Sequence, residues 1–321
     1  MTGWRETLDT VADRTLVTGY TTLGFRLRER WWRPLEPGSL DGRRAVVTGA
    51  GSGIGKAIAT GLAGLGATVH LAVRDLGRGN AVREEIGDQV PGADLQVNEL
   101  DVATLDGVHR FAEKFLADHG RLDVLIHNAG VLPQRRTESP DGHELALATH
   151  VLGPFLLTDL LVPALRAAED AARVIFMSSG GMYTQRLRDD DPQYNRGRYR
   201  GGVAYARTKR MQVVLARMWA RRLGGDGIAV HSMHPGWVAT PGIASSLPGF
   251  ATAMGPLLRS PAEGADTAVW LAASAEGDRA SGQFWHDRAP RPEHCLPGTR
   301  ETPAQRDRLW TFCETATGVA R

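Results

Sequence analysis

Residues 44–55 read RAVVTGAGSGIG, an apolar run of the β type that ends in a cluster of glycines. An Ala- and Leu-rich helical pattern follows to about Leu65, and the stretch from Thr68 to Val73 has the composition of a second strand. A strand, a glycine turn, a helix and a second strand in this order are the context that a dinucleotide-binding glycine motif requires. The glycines let the backbone turn tightly and approach a pyrophosphate, which binds to the N–H groups of a helix N-terminus. The pattern therefore favours a dinucleotide site over a glycine-rich turn without a ligand.

The rest of the chain continues the alternation of strands and helices. We predict further strands over residues 95–100, 122–127, 173–178, 227–234 and 282–285, and helices over residues 105–118, 144–166, 204–223 and 262–273. This spacing predicts an α/β fold with a Rossmann-type doubly wound parallel sheet that helices cover on both faces. No internal repeat or low-complexity tract interrupts it. We expect a single domain over residues 41–290, with an N-terminal extension over residues 1–40 and a C-terminal tail over residues 291–321.

The composition narrows the functional class. The 321 residues carry a net charge of +2, which gives no reason to expect nucleic acid as a partner. Two cysteines, Cys295 and Cys313, make no disulfide framework and fit a reducing compartment. No apolar run approaches the roughly 18 residues of a membrane span, and the N-terminus lacks the apolar core of a signal peptide. We therefore expect a cytoplasmic protein.

The chain contains only three lysines, and one of them, Lys209, lies four residues after Tyr205. Four residues are about one helical turn, so the two side chains share a face if this stretch is helical. A lysine ammonium beside a phenol stabilises the phenolate and lowers the tyrosine pKa towards neutrality, as general acid–base catalysis requires. Taken alone, such a pair is more often an exposed tyrosine and lysine on an amphipathic helix, so its meaning depends on the motifs around it.

From residue 42 to about residue 290, the chain resembles the short-chain dehydrogenase/reductase family. The motifs that carry the resemblance occur together and in the family's order: T-G-x-x-x-G-x-G at residues 48–55, N-A-G at 128–130, Y-x-x-x-K at 205–209 and P-G-x-x-x-T at 235–240. Finer motifs, such as SSGGM at residues 178–182, are similar to the group of this family called dehydrogenase/reductase family member 12.

The resemblance implies a nicotinamide dinucleotide as cofactor. It assigns the cofactor to Gly49, Gly51, Ser52, Gly53, Ile54, Gly55, Asp101, Val102, Asn128, Ala129, Gly130, Tyr205, Lys209, Pro235, Gly236, Trp237 and Thr240. Within this set, Asp101 would bind the adenine amino group, and the segment from Pro235 to Thr240 would bracket the nicotinamide.

The resemblance also implies hydride transfer between nicotinamide C4 and the carbonyl or alcohol carbon of a small molecule. Ser179 would hydrogen-bond the substrate oxygen, and Tyr205 would give that oxygen its proton during reduction or take it during oxidation. Lys209 would hold the nicotinamide ribose hydroxyls and lower the pKa of Tyr205, while the protein supplies geometry and electrostatics. The alternative function is a dinucleotide-binding sensor or scaffold of the same fold, a class that typically lacks the tyrosine or the lysine.

One position departs from the family pattern. His150 stands where the resemblance expects an asparagine that helps to hold a water in a proton relay. An imidazole can also bind water and pass protons, so His150 could replace the asparagine as a catalytic residue. The other interpretation is a histidine that packs beside the cofactor and has no part in proton transfer. We expect no metal site, because His231 and His234 would lie on opposite faces of a strand.

Cofactor choice depends on the end of the second strand, where an NAD enzyme places an acidic residue for the ribose 2′-hydroxyl. This chain has Val73 at that point, followed by Arg74. Valine offers no acceptor, whereas a guanidinium can form charge-assisted hydrogen bonds with a 2′-phosphate. We therefore predict NADP in preference to NAD. The alternative is an Arg74 that is paired with Asp75 or solvated.

Two further segments bear on the substrate. Residues 239–258 are rich in Ala, Leu, Pro, Phe and Met, which suggests an apolar carbonyl or alcohol, although such segments also close over cofactors. The polar stretch over residues 187–200 lengthens the gap between Ser179 and Tyr205. It predicts either a lid or a solvated loop near the substrate mouth.

Two apolar helical segments bear on whether the protein binds a second copy of itself or a membrane. The helix over residues 204–223 is apolar over more than one stripe, which favours a homo-oligomer over a monomer unless the N-terminal extension covers it. Residues 1–40 contain leucines at helical spacing and the pair Trp31-Trp32. The extension would either pack against the core or make peripheral contact with a membrane surface.

Overall fold

The computed structural model describes residue 9, residues 19–240, residues 249 and 252, and residues 254–319. Strands in this part of the chain form one eight-stranded sheet. They are Arg44–Thr48 (β1), Thr68–Val73 (β2), Leu95–Glu99 (β3), Val124–His127 (β4), Ala172–Met177 (β5), Ile228–Met233 (β6), Phe284–His286 (β7) and Ala289–Pro290 (β8). Their order is β3-β2-β1-β4-β5-β6-β7-β8, and every pair is parallel except β7 with β8. The predicted Rossmann-type sheet is confirmed.

Helices cover both faces of the sheet. They are Thr22–Glu29 (α1), Gly53–Gly64 (α2), Leu76–Gln89 (α3), Leu105–Asp118 (α4), Gly153–Arg166 (α5), Gly201–Leu223 (α6), Pro261–Ala273 (α7), Glu276–Arg279 (α8) and Pro303–Thr317 (α9). Helices α2, α3 and α7 bury their apolar side chains in the core on one face, and α4, α5, α6 and α9 do so on the other. A π-helical turn, Ala148–Leu152, leads into α5.

The central strand β1 determines where a ligand can bind. It pairs with β2 on one side and with β4 on the other, so the strand order reverses beside it. At such a reversal, the loops that follow the strands separate and leave a crevice at the carboxyl ends. The turn after β1 requires glycine, because Gly49 has a φ of 68° and a Cβ on Gly55 would overlap the carbonyl oxygen of Gly49.

The last helix covers the apolar surface on which the oligomer was predicted. On α6, the side chains of Met211, Val214, Leu215, Met218, Trp219 and Leu223 are all buried within the chain. Helix α9 lies against them, with the Trp310 ring 4.7 Å from the Trp219 ring and 4.8 Å from the Phe155 ring. The segment that we expected to be a tail is therefore part of the core, and α6 needs no second copy as cover. The homo-oligomer stays a prediction without that support.

The N-terminal extension packs on the fold through α1, whose Phe25 and Arg28 are buried. Its outer face leaves Leu23 54% and Leu27 37% exposed, so peripheral membrane contact stays a prediction. A helical stretch at Leu145–Arg166 is long and apolar enough to cross a membrane, but 83% of its most apolar window is buried inside the fold. Its place in the core explains that composition, and the cytoplasmic location stays a prediction.

Candidate active site

A cavity of about 900 Å³ opens at the carboxyl ends of the parallel strands. Every residue that the sequence analysis assigned to the cofactor lines this cavity, including Arg74, and so does Ser179. His150 is buried behind its wall. Side chains that are distant in sequence thus meet at the place where the strand order reverses, as expected for a nucleotide site of this sheet.

The glycine loop is held in place from β4. The hydroxyl oxygen of Thr48 accepts hydrogen bonds from the backbone N–H groups of Asn128 and Ala129, at 3.0 and 3.1 Å. In return, the Asn128 amide donates to the carbonyl oxygens of Thr48 and Gly49, at 3.0 and 3.3 Å. The two loops are therefore fixed to each other, which leaves the N-terminus of α2 directed into the cavity, where it can bind a pyrophosphate.

Ser179, Tyr205 and Lys209 meet on one wall of the cavity. The Ser179 and Tyr205 side chains both line the cavity and lie close enough to influence each other's titration, and the Lys209 Nζ lies 5.4 Å from the centre of the Tyr205 ring. That Nζ donates to the carbonyl oxygen of Met177, at 2.7 Å. At the end of the same strand, the Ser178 hydroxyl donates to the Lys209 carbonyl oxygen, at 2.9 Å, which ties α6 to β5. Backbone contacts thus hold the Lys209 side chain and the helix that carries it in place against β5.

Burial shifts the pKa values of both Tyr205 and Lys209. Burial raises the pKa of Tyr205, and the hydrogen bond from Ser179 lowers it by less. Burial also lowers the pKa of Lys209 to about 7, so the ammonium is itself destabilised. The Lys209 charge is not among the influences that shift the Tyr205 pKa in the protein alone, so the expected lowering of that pKa by Lys209 stays a prediction. With its pKa raised, Tyr205 carries its phenol proton.

Both ring nitrogens of His150 have partners. Nε2 accepts a hydrogen bond from the Val131 N–H, at 2.9 Å, so the ring proton is on Nδ1, which donates to the Thr208 hydroxyl, at 2.8 Å. The Thr208 hydroxyl in turn donates to the carbonyl oxygen of Tyr205. Burial, and then the Lys209 charge, hold the pKa of His150 well below its usual value. The ring connects the loop after β4 to α6, which favours packing and positioning over proton transfer.

The end of β2 offers two arginines to the cavity. Arg74 is exposed and makes no ion pair with any residue that the structure describes. The carboxylate of Asp75 caps α3 by accepting from the Arg78 N–H, at 3.0 Å, so it does not neutralise Arg74. The Arg78 Nε donates to the Gly51 carbonyl oxygen, at 2.8 Å, which places a second guanidinium beside the glycine loop. Sequence reasoning missed Arg78, although it lies one helical turn beyond Arg74.

Comparison with known proteins places this site in a family. The family model described as short chain dehydrogenase matches residues 43–248. The chain belongs to the short-chain dehydrogenase family. It is similar to dehydrogenase/reductase SDR family member 12 of Bos taurus, with 44% identity over 92% of this chain and 93% of that protein. It is also similar to retinol dehydrogenase 14 of Homo sapiens, with 33% identity over 91% of each chain.

Solved structures agree with this assignment. The Pseudomonas aeruginosa RhlG/NADP active-site complex matches this short-chain dehydrogenase with a TM-score of 0.64 and 29% identity, over 79% of this chain and 96% of that one. The family and the fold together make the protein an oxidoreductase with a nicotinamide cofactor.

The inserted stretch of this short-chain dehydrogenase is braced against the cavity wall. Leu187 and Tyr194 are buried. The Tyr199 hydroxyl donates to Glu144, at 2.8 Å, and the Glu144 N–H donates to the Gln193 side chain, at 2.8 Å. These contacts fasten the insertion to the segment that leads into the π-helical turn. Part of the stretch is thus packed against the fold, while residues 195–198 remain exposed.

A group of possible metal ligands lies outside the cavity. Glu293, His294 and Glu301 each bring one ligand atom within 4.8 Å of the others. Arg217 makes an ion pair of 2.7 Å with Glu293 and a second ion pair with Glu301. The guanidinium supplies the positive charge that a cation would bring, so we assign no metal to this group.

Proposed function

We propose that this enzyme transfers hydride between NADP and the carbonyl or alcohol carbon of an apolar small molecule. The observation that carries the proposal is the shared wall of Ser179, Tyr205 and Lys209, which faces the same cavity as the glycine loop. A bound nicotinamide cofactor supplies the hydride chemistry, which no side chain of this chain offers.

The protein groups have distinct roles in this proposal. During reduction, the substrate carbon gains a hydride, and Tyr205 gives its phenol proton to the substrate oxygen. The raised pKa of Tyr205 keeps that proton in place until it is needed. The Ser179 hydroxyl, already within hydrogen-bond reach of Tyr205, orients the substrate oxygen. Lys209 lies 5.4 Å from the centre of the same ring, and in this proposal its charged form stabilises the phenolate left after proton transfer once the cofactor is bound.

Two arginines support NADP as the cofactor. A 2′-phosphate needs fixed positive charge, and Arg74 and Arg78 both line the cavity beside the end of β2. Arg74 has no acidic partner among the described residues, and Val73 offers no carboxylate to a 2′-hydroxyl. The chemistry of these side chains therefore fits a phosphorylated ribose better than a bare one.

An apolar substrate fits the wall beyond the catalytic group. Among the residues that line the cavity, Val131, Leu132, Pro140, Leu145 and Trp237 offer apolar surface. The relative from Homo sapiens is named for retinol, a large apolar alcohol. We therefore place the substrate of this enzyme among apolar aldehydes, ketones or alcohols. Residues 241–248 of the apolar segment cited in the sequence analysis lie outside the described residues.

The proposal is tested by following NADPH absorbance at 340 nm with carbonyl compounds of graded size and polarity. Tyr205→Phe removes the transferable proton but keeps the ring, so turnover should fall by about 10²- to 10⁴-fold while NADPH still binds. Tyr183→Phe is the matched control, because it loses a hydroxyl that donates to the Pro292 carbonyl oxygen outside the cavity, and it should keep most of its activity. Tight NADPH binding with no turnover of any carbonyl or alcohol would favour the sensor or scaffold instead.

A further inference from the structure

The N-terminal extension contacts the loop that follows β6. The backbone N–H of Trp237 donates to the Tyr20 carbonyl oxygen, at 2.8 Å, and the Tyr20 ring stacks on the His234 ring, with 4.7 Å between centres. Trp237 lines the cavity, whereas Tyr20 supports it from behind. The extension thus backs the segment that is expected to bracket the nicotinamide.

The same tyrosine supports the loop that carries Ser179. The Tyr20 ring lies so close to Gly180 that a Cβ on Gly180 would overlap it. Gly180 follows Ser179 directly, and the Ser179 hydroxyl oxygen accepts from the Gly181 N–H, at 3.2 Å. One side chain of the extension therefore touches two loops of the cavity wall.

Buried charges hold this arrangement together. Arg28, Arg259 and Asp287 are almost completely buried. Asp287 receives hydrogen bonds from Arg28 NH1, at 2.6 Å, and from both terminal nitrogens of Arg259, at 2.6 and 2.8 Å. Solvent screens these charges little, so removing one partner leaves buried charge less well compensated, and the three groups depend on one another for their positions.

Arg259 carries these contacts to the cavity wall. Its NH1 donates to the Pro235 carbonyl oxygen, at 3.2 Å, and its NH2 donates to the Gly19 carbonyl oxygen, at 3.0 Å. The Arg259 N–H donates to the Trp237 carbonyl oxygen, at 2.7 Å. A single guanidinium thus joins the extension, Asp287 and the loop after β6.

We infer that the N-terminal extension is a positioning element of the active site. Tyr20 and Arg28 fix the wall formed by Ser179, Pro235 and Trp237, which on the proposed function faces the nicotinamide half of the cofactor and the reacting carbon. This inference rests on the proposed function. It assigns no contact to the adenosine half, which the glycine loop and the end of β2 hold independently.

The test compares binding of NADPH with binding of 2′,5′-ADP, which carries only the adenosine half. Arg28→Gln removes one cation but leaves Asp287 paired with Arg259, so the fold should persist. We expect the Kd for NADPH to rise by about tenfold, as for the loss of one charge-assisted contact, while the Kd for 2′,5′-ADP stays unchanged. Arg28→Lys should restore part of the loss. Arg30→Gln, at an exposed arginine just beyond the same helix, is the matched control and should change neither constant.

Tyr20→Leu provides a second, uncharged test and should show the same selective loss of NADPH affinity. If Arg28→Gln failed to fold, Tyr20→Leu would decide. Unchanged NADPH affinity in the folded variants, or equal losses for NADPH and 2′,5′-ADP, would overturn the inference. A wild-type protein that bound neither ligand would instead refute the proposed function.

Discussion

The choice of NADP depends on one exposed arginine at the end of β2. Arg74→Ala removes a guanidinium that has no ion pair among the described residues, so the substitution leaves no acidic group unpaired. A charge-assisted hydrogen bond contributes about 1.5–3 kcal/mol, and the exposure of Arg74 favours the lower value. A loss of about 1.5 kcal/mol corresponds to a Kd for NADP that is about tenfold higher. Arg78, anchored on the Gly51 carbonyl, limits the loss, and removing both arginines should exceed it.

The assay is calorimetric titration of the wild type and the variant with NADP and with NAD. The NAD affinity should not change, because NAD has no 2′-phosphate, so the preference for NADP should shrink by the same factor of about ten. Arg83→Ala is the matched control, since Arg83 is exposed on α3 and does not line the cavity. The reasoning would be refuted by a wild type that binds NAD as tightly as NADP, or by an Arg74→Ala protein with unchanged NADP affinity.

Three further predictions concern stability and proton transfer. Burial lowers the pKa of Lys209 from 10.5 to about 7. Between these pH values the folded protein therefore binds fewer protons than the unfolded chain. The free energy of unfolding should then rise with pH, by at most about 1.4 kcal/mol per pH unit. Lys209→Met should abolish this rise, and urea denaturation should show that the variant is more stable than the wild type at pH 7. The prediction would be contradicted if the free energies of unfolding of the two proteins changed with pH in parallel. His150→Asn should lower kcat but keep the shape of the pH profile of kcat between about pH 6 and 9, because the pKa of His150 lies well below its usual value. A shift of either limb of that pH profile would indicate that His150 belongs to a proton relay. Trp310→Ala should lower the free energy of unfolding by about 3–5 kcal/mol, because it leaves a cavity where α9 packs on α6. A loss below about 1 kcal/mol would show that the packing of α9 contributes little to stability.

Local constraints made much of the fold predictable. The turn at Gly49 and Gly55 permits no side chain, so its glycines are visible in the sequence. Strands β4, β5 and β6 are buried along their whole length and are therefore rich in apolar residues. The cavity lining followed, because residues after parallel strands meet at one edge of the sheet.

Besides the one-turn helix α8, the two longer helices α3 and α9 escaped prediction for different reasons. Helix α3 contains three glycines and many charged residues, and few apolar residues recur at helical spacing. Its sequence therefore gives only a weak helical pattern. Helix α9 did have a signal: Thr302 and Gln305 form a capping box around Pro303, and Gly318 ends the helix in the left-handed conformation. That signal would have identified the cover of α6.

The contacts behind the cavity could not be predicted from one sequence. Arg28 and Asp287 are separated by 259 residues, and nothing in either local sequence points to the other. The raised pKa of Tyr205 could not be predicted for a similar reason, because the spacing to Lys209 shows proximity but not burial.

The central claim is that this cavity transfers hydride to a carbonyl carbon with Tyr205 as the proton donor. The most direct measurement is a single-turnover reaction with NADPH deuterated at nicotinamide C4 and an apolar aldehyde such as retinal, followed by mass spectrometry of the product. We predict that deuterium appears on the former carbonyl carbon with the wild type, and that Tyr205→Phe, although it still binds NADPH, forms the labelled product at least about 100-fold more slowly. Labelled product at equal rates from both proteins, or none from any apolar carbonyl with a wild type that binds NADPH, would contradict the account.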